Sequence, residues 1–444
     1  MTKKGLKVKD LVLLALGTII GGSFFLGISI PLRNAGPSII VSYLIGGVLV
    51  AIILFSLSEM TIAKPTAGSF RTYAQQYLGP YYGFLVGWLY WTGLVLAMSS
   101  EALALALLII RYFPSLNPVF FGTIIILIVT LLNLLGADKL SKIENKLALI
   151  KIFAVVGFIV LSAAILFGIF NVTNLQTYKL DFTYNDIFVG GFGAVAGSML
   201  IIMFTYAGFE MIGLAASEAE NPNKTVPKAI KNTVLILVSL YCVAVILLLP
   251  LVDTSELTPE FSPFVIGLGN AGIFWASNVM NIVLIIAILS TMLAAMFGLG
   301  RIMRSLADEG YTPKFLKENT DIPKKGILFS GLAMLIALYL GQILPSSVYI
   351  FLVSSSGFSL MFTYLIILYS HYHFRKKYGC PGKGQCQLPG YPYTSLVGLL
   401  SIVLIILTMP LIAGQGSGLV AGIVLILVYS IIYYLTKRKR IRSR

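Results

Sequence analysis

Charged residues are scarce in this sequence: they account for 11% of its 444 residues, while hydrophobic residues account for 58%. A soluble globular chain carries about 25% charged residues, so the composition excludes an ordinary soluble domain and makes the lipid bilayer the relevant solvent. Where no water reaches the backbone, only helices and closed barrels satisfy every amide. The apolar runs have the roughly 20-residue length of a membrane helix rather than the alternation of a barrel strand, which predicts an all-α membrane protein.

Catalytic and nucleotide-binding patterns are lacking as well. The apolar runs contain no Ser-His-Asp set, no pair of metal ligands and no P-loop, which argues against an enzyme or an ATP-driven pump and predicts no cofactor. The segment Gly191-Phe192-Gly193 imitates a dinucleotide loop, but it enters an apolar helix without a preceding strand. No ring of charges recurs along the runs, as a channel would need. No connecting loop is long enough for a soluble domain, so residues 1–444 are predicted to form one membrane domain.

Acidic residues are fewer than basic ones, 17 against 32, and the net charge is +15. The basic residues lie between apolar runs rather than on one soluble face, which argues against a nucleic-acid partner. If the N-terminus is cytoplasmic and there are twelve spans, all but four of the 32 basic residues lie on the cytoplasmic side, as the positive-inside rule requires. Arg33, Arg111 and Lys179 fall outside, and Lys151 falls within a span. Both termini are therefore predicted in the cytoplasm, where the basic run at 437–440 is predicted to attract anionic lipid.

The first apolar run is long for a signal peptide and lacks a convincing cleavage site, so it is kept as a span. The chain is thus predicted to be a multi-pass protein of the cytoplasmic membrane. Its twelve predicted spans cover residues 10–32, 38–59, 82–111, 118–136, 146–170, 193–218, 229–252, 272–303, 326–344, 347–374, 394–412 and 417–436.

Spans 1 and 6 are interrupted near mid-length. Residues 17–25 of span 1 include three glycines, each of which costs about 1 kcal/mol relative to alanine inside a helix. Residues 204–213 of span 6 include two glycines and the carboxyl of Glu210. The alternative to a chain break is that these glycines only allow close packing of neighbouring helices, since Gly17 and Gly21 form a GxxxG pair.

These two spans begin two blocks of five spans, residues 10–170 and 193–374, and two additional spans follow within 394–436. Interrupted helices at matching positions of two halves indicate an inverted-repeat transporter with a substrate site at the membrane midplane.

A zwitterion would satisfy the backbone groups that such breaks release. Its carboxylate would meet the amides where the second half-helix begins, near Gly22 and Ser23. Its ammonium would meet carbonyls released in both spans. The predicted substrate-binding residues are Thr18, Ile19, Ile20, Gly21, Gly22, Ser23 and Phe24 in span 1, and Phe204, Thr205, Tyr206 and Ala207 in span 6.

At these residues the sequence resembles the amino acid-polyamine-organocation superfamily, and its bacterial amino acid permeases in particular. Span 1 reads GTIIGGSFFLG from Gly17 and is followed by Asn34-Ala35-Gly36-Pro37, and span 6 runs into a segment, residues 217–230, that matches a second signature. The resemblance implies a five-plus-five inverted repeat, two extra C-terminal helices, and alternating access around a site between spans 1, 3, 6, 8 and 10.

The resemblance also implies roles for single residues. Ile20, Gly22, Ser23 and Phe24 would hold the substrate backbone from span 1, and Phe204, Thr205 and Ala207 from span 6. Phe204 matches an aromatic gate over the substrate. Ser23 stands where many relatives have glycine, so its hydroxyl either contacts the ligand or crowds it.

Three ionisable residues in the spans are candidates for coupling. By the resemblance, Lys151 matches a lysine whose ammonium occupies the space of sodium in sodium-coupled relatives. The match implies that Lys151 bonds to carbonyls near Gly17 and that transport is independent of sodium. The alternative is a lysine that snorkels to the membrane surface. Glu101 in span 3 and Glu210 after the span 6 break are coupling candidates, or else neutral packing groups.

One predicted cytoplasmic loop carries residue types that bind zinc, namely His371, His373, Cys380 and Cys386. Their spacing fits no standard zinc pattern, so free thiols in a reducing compartment are the favoured interpretation.

The sequence therefore predicts a secondary transporter of amino acids, neutral ones in particular, that works as a proton symporter or as an exchanger. The alternative is a receptor that keeps this fold and binds an amino acid without transporting it.

Overall fold

The computed structural model describes most of the chain, with gaps mainly between the helices. The described residues are 5–64, 66, 68–110, 113, 117–169, 187–210, 212–213, 219–259, 261–318, 320, 322–343, 348–380, 386–411 and 414–442. Two of the predicted outside residues, Arg111 and Lys179, lie outside this part, as do the side chains at 438–440 in the basic run.

Within the described residues the regular structure is helical, apart from one isolated β-bridge between Leu6 and Ala219. The α-helices, numbered in chain order, are α1 Val8–Ile19, α2 Gly22–Phe25, α3 Ser29–Ala35, α4 Ile39–Ala63, α5 Ser69–Leu78, α6 Pro80–Ile110, α7 Pro118–Asn133, α8 Ala137–Leu166, α9 Gly191–Thr205, α10 Pro222–Leu248, α11 Pro263–Asn270, α12 Phe274–Asp308, α13 Lys324–Ile343, α14 Val348–Tyr378, α15 Tyr393–Thr408 and α16 Gln415–Arg442.

The helices have the composition of membrane spans. Nine stretches among the described residues are long and apolar enough to cross a bilayer, and α7 and α9 are apolar but shorter. The stretch in α14 is 83% buried by the rest of the protein and that in α16 is 17% buried, so α14 is central and α16 peripheral. The large apolar side chains that α16 exposes, such as Val424 and Ile431, are suited to lipid contact. The chain is an all-helical membrane protein.

Span 1 is divided into three helices. The helix α1 ends at Ile19, the next two residues are extended, and α2 comprises only four residues before α3 begins at Ser29. Ile20 has φ −70° and ψ 104°, and Gly21 has φ −148° and ψ −166°. The helix therefore breaks at the predicted glycines, but the predicted second half-helix is two short helices rather than one.

Span 6 also breaks where its sequence predicts. The helix α9 ends at Thr205, and a turn follows from Tyr206 to Glu210. Gly208 has φ +103°, a conformation that glycine adopts without steric cost. The remainder of span 6 includes residues 211 and 214–218, which lie outside the described part.

Two described helices were not predicted. The helix α5 lies between predicted spans 2 and 3, and α11 precedes α12. Several helices also extend beyond their predicted bounds: α8 begins at Ala137 rather than at residue 146, and α12 ends at Asp308 rather than at residue 303. Hydropathy marks only the apolar part of a helix, so it does not show where the helix continues into the aqueous phase.

The helices α6 and α1 each pack against several others. The helix α6 contacts α7, α12, α13 and α14, while α1 contacts α8, α10 and α12. The helix α2 in turn contacts α12, α9 and α6, so the break between α1 and α2 lies beside these helices.

Candidate substrate site

The two chain breaks lie against each other. The hydroxyl of Thr18, in the last turn of α1, donates to the carbonyl of Ala15 at 2.9 Å and to the carbonyl of Gly208 at 3.2 Å. A Cβ built on Gly208 would lie 2.8 Å from the carbonyl oxygen of Thr18, so only glycine allows this approach. The fold thus joins segments that are 190 residues apart in the sequence.

The start of α2 presents amides ahead of its first helical bond. The first of these bonds is from the amide of Phe24 to the carbonyl of Gly21, at 3.2 Å, so the amides of Gly22 and Ser23 precede it. The carboxylate of Glu101 on α6 lies close to the Ser23 amide, and its Oε1 would be 3.5 Å from a Cβ built on Gly22. The same carboxylate accepts a hydrogen bond of 2.7 Å from the hydroxyl of Thr291 on α12. An internal carboxylate therefore lies at the position predicted for the substrate carboxylate.

A cavity of about 60 Å³ lies beside the two breaks. This volume is several times what one ordered water requires. Residues of α1, α2, α6, α9, α12 and α14 line it, together with the turn after α9. The predicted residues that it brings together are Thr18, Ile19, Ser23, Phe204 and Ala207, with the coupling candidates Glu101 and Glu210.

Other predicted residues are not among those that line the cavity. The ring of Phe24 stacks on Tyr241 at 3.8 Å between centroids, and the hydroxyl of Tyr206 donates to the Tyr43 carbonyl at 2.9 Å. The carbonyl of Thr205 accepts from the Tyr241 hydroxyl at 3.3 Å. Ile20 is fully buried. These four residues support the breaks through packing and hydrogen bonds.

The glycines of span 1 are sites of close approach. A Cβ on Gly17 would lie 2.7 Å from the Cβ of Ala148 on α8. A Cβ on Gly21 or on Gly22 would lie 2.4 Å and 2.6 Å, respectively, from side-chain carbons of α12. Close packing, the alternative drawn from the sequence, is therefore present together with the chain break.

Lys151 is fully buried in α8, and its ammonium donates to the carbonyl of Gly17. This is the contact that the family resemblance predicts. The side chain does not reach a surface, so the snorkelling alternative does not describe it. Glu144 of the same helix and Glu101 of α6 are acidic groups that interact electrostatically with this ammonium.

Glu210 is fixed between two helices. Its carboxylate accepts from the Tyr90 hydroxyl on α6 at 2.8 Å, from the Tyr364 hydroxyl on α14 at 3.2 Å, and from the Gly208 amide at 3.1 Å. The side chains of Glu210, Tyr90 and Tyr364 are buried. The turn that follows α9 is thereby attached to α6 and α14.

Sequence reasoning missed several of these residues. Glu144 had a signal, because it lies seven residues before Lys151 and so on the same face of one helix. The sequence contains no signal for Tyr90, Tyr364 or Thr291, since buried tyrosines and threonines are common in such helices and their partners come from distant segments.

The four potential zinc ligands do not assemble. The Nε2 of His371 lies 2.7 Å from a carboxylate oxygen of Glu59, and the Nδ1 of His373 faces a carbonyl of its own helix. No group of three potential ligands occurs among the described residues. Cys380 and Cys386 are joined in a disulfide, which corrects the expectation of free thiols. The fold brings together two cysteines whose spacing alone did not indicate a bond.

Comparison with known proteins agrees with this architecture. The amino acid permease family model matches residues 10–443. The amino-acid permease RocC of Bacillus subtilis is 30% identical over 99% of this chain and 96% of its own length. The gamma-aminobutyric acid permease of the same organism is 28% identical over 99% of this chain and 94% of its own length. A probable GABA permease of Pseudomonas aeruginosa is 29% identical over 91% of this chain and 87% of its own length.

These matches extend over nearly the whole chain and include both chain breaks. They indicate a transporter rather than an enzyme, in agreement with the apolar helices and with the lack of a catalytic pattern in the apolar runs. The chain belongs to the amino acid permease family and is a multi-pass membrane protein of amino acid transport.

Proposed function

We propose that this permease carries neutral amino acids across the cytoplasmic membrane by alternating access, independently of sodium, as a proton symporter or an exchanger. The observation that carries the proposal is the contact between the two chain breaks, where the last turn of α1 meets the turn after α9 and the first amides of α2 precede its first helical bond. A zwitterion carries the two charges that such groups bind. The residues in contact with the substrate would be the predicted ones that line the cavity, with Phe204 as the gate, and the other predicted residues of spans 1 and 6 would support the chain breaks.

A neutral side chain suits the cavity. No lysine, arginine or histidine occurs among the described residues that line it. Its two carboxylates already have partners: Glu101 accepts from Thr291, and Glu210 accepts from two tyrosines. A charged substrate side chain would therefore lose its hydration without gaining a free counter-charge, which is costly in a buried site.

Sodium independence rests on Lys151. Its ammonium bonds the Gly17 carbonyl next to the break and supplies a fixed positive charge there. A sodium ion at the same place would meet this charge at close range. If Lys151 or Glu101 exchanges a proton during the cycle, transport is proton-coupled; if both keep their charge, the protein is an exchanger.

The proposed cycle needs two halves that move relative to each other. Twelve spans with a five-plus-five inverted repeat, residues 10–170 and 193–374, would provide them, and residues 394–436 would add two peripheral helices. Both termini would lie in the cytoplasm, where the basic run at 437–440 would contact anionic lipid. Interrupted helices that begin each half support this arrangement.

Uptake into proteoliposomes tests the proposal. Labelled neutral amino acids should accumulate or exchange without sodium, and an imposed proton gradient should separate symport from exchange. A receptor on the same fold would bind an amino acid, as detected by a rise in melting temperature, yet would catalyse neither accumulation nor exchange. Uptake that requires sodium would contradict the proposed coupling.

A further inference from the structure

Gly298, inside α12, is a buried residue with unused space in front of it. A Cβ built on Gly298 meets no heavy atom of the described residues within 4 Å. Gly300, two residues later, shows the usual reason for a helical glycine, since a Cβ there would lie 2.8 Å from Ile327 and 3.0 Å from Pro323. Close packing therefore explains Gly300 and leaves Gly298 unexplained.

Glycine at this position has a cost. In a helix interior it destabilises by about 1 kcal/mol relative to alanine. A positive φ would justify that cost, but Gly298 is not among the described glycines with positive φ. The remaining physical reason is that the space next to its backbone has to stay open.

This space belongs to the candidate substrate cavity. Gly298 lines the cavity from the same face of α12 as Ala294 and Ala295, four and three residues earlier, respectively. Leu94 of α6 and Leu360 of α14 also line it. Small side chains on one helix and apolar side chains on its neighbours form the wall that an apolar substituent requires.

The distance along α12 from Thr291 to Gly298 indicates which part of a bound substrate would reach this wall. Thr291, which holds Glu101 at the start of α2, lies seven residues before Gly298. Seven residues are about two turns, or about 10 Å along the helix axis. A substrate bound by its carboxylate near Thr291 would extend its side chain towards Ala294 and Ala295, and only a long side chain would reach Gly298.

We propose that Gly298 sets the upper size limit of the apolar side chain that the substrate site accepts. The proposal rests on the function proposed above and adds the class of substrate: neutral amino acids with apolar side chains, including large ones. A side chain added at Gly298 would occupy the far end of the cavity and leave the groups that hold the substrate backbone unchanged.

Binding of glycine, alanine, leucine and phenylalanine to the purified full-length wild type, Gly298→Ala and Gly298→Leu tests this. Gly298→Leu should lower the affinity for leucine and phenylalanine at least about tenfold more than it lowers the affinity for glycine and alanine, since one methylene in a pocket changes discrimination by about tenfold or more. Gly298→Ala should show a smaller loss in the same order. Gly300→Ala is the matched control, because it should lower the melting temperature without changing the order of affinities.

The outcomes separate the size limit from the proposed function. A wild type that binds none of the four amino acids contradicts the proposed function itself. A wild type that binds them, with Gly298→Leu losing affinity for all four equally or for none, overturns the size limit alone. Unchanged affinities with slower turnover would place Gly298 on the exit path and would also overturn it.

Discussion

The hydroxyl of Thr291 on α12 donates a hydrogen bond of 2.7 Å to the carboxylate of Glu101 on α6. The same carboxylate lies close to the Ser23 amide at the start of α2. Three helices thus meet at one carboxylate, and a substrate carboxylate that bound the same amide would have to displace it or share its donors.

Thr291→Val should therefore weaken substrate binding and change its pH dependence, because the carboxylate loses a donor in a buried setting. Hydrogen bonds to charged groups contribute about 1.5 to 3 kcal/mol, which corresponds to about a tenfold to hundredfold change in affinity. Thr291→Ser keeps the hydroxyl and should restore the wild-type pH profile of uptake. If valine and serine behave alike, the hydrogen bond has no role in binding.

The position of both breaks was predictable, because glycines recur near mid-length in both apolar runs, where they contradict good helix design. Lys151 was predictable for a similar reason, since a lysine inside a span needs a partner. The contact with the Gly17 carbonyl came from the family resemblance, and the structure shows it.

The partners of Glu210 were not predictable. Tyr90 and Tyr364 lie 120 and 154 residues from it, and hydropathy does not distinguish a tyrosine that donates to a carboxylate from one that only packs. The division of the second half of span 1 into α2 and α3 was not predicted, because the apolar sequence after Gly22 continues without an evident stop.

Gly22→Val should abolish amino acid binding, since its side chain would fill the space where the carboxylate meets the α2 amides. A Cβ there also lies 2.6 Å from Ile288, so the variant is best made with Ile288→Ala, which removes the clash. Ile288→Ala alone is the control for the cavity that it leaves. The measurement is amino acid affinity in folded protein, together with competition by the corresponding amides.

Amino acid amides lack the carboxylate and should compete poorly with labelled substrate. A folded Gly22→Val, Ile288→Ala protein with the affinity of Ile288→Ala would remove the proposed carboxylate position.

Phe204→Ala should lower transport per folded molecule more than it lowers stability. Phe204 lines the cavity and is 6% exposed, so it is placed to exclude water when the substrate is occluded. Phe264, fully buried against Phe24 and Phe25, is the packing control. Phe264→Ala should chiefly lower the melting temperature, because a core phenylalanine-to-alanine change costs about 3 to 5 kcal/mol. If Phe204→Ala melts at a lower temperature but keeps normal turnover per folded molecule, Phe204 is not the gate.

Lys151→Ala should weaken substrate affinity or slow turnover, because the Gly17 carbonyl loses its partner next to the break. Lys146 lies in the same helix but is exposed, so Lys146→Ala is the matched control and should leave transport unchanged. Removing the lysine also leaves Glu144 without its opposite charge, and an uncompensated buried charge costs several kcal/mol. Lys151→Ala with Glu144→Gln removes both charges and should recover folding.

Recovery of folding without recovery of transport would assign the ammonium a role beyond charge balance. If Lys151 releases its proton during the cycle, an imposed proton gradient drives accumulation in the wild type, and the variant that lacks both charges loses that response. If Lys151 keeps its proton, exchange persists in the wild type without a gradient and is slowed in the variant. Wild-type uptake that requires sodium, or a Lys151→Ala protein with normal affinity, rate and pH profile, would show that this lysine is only a structural cation.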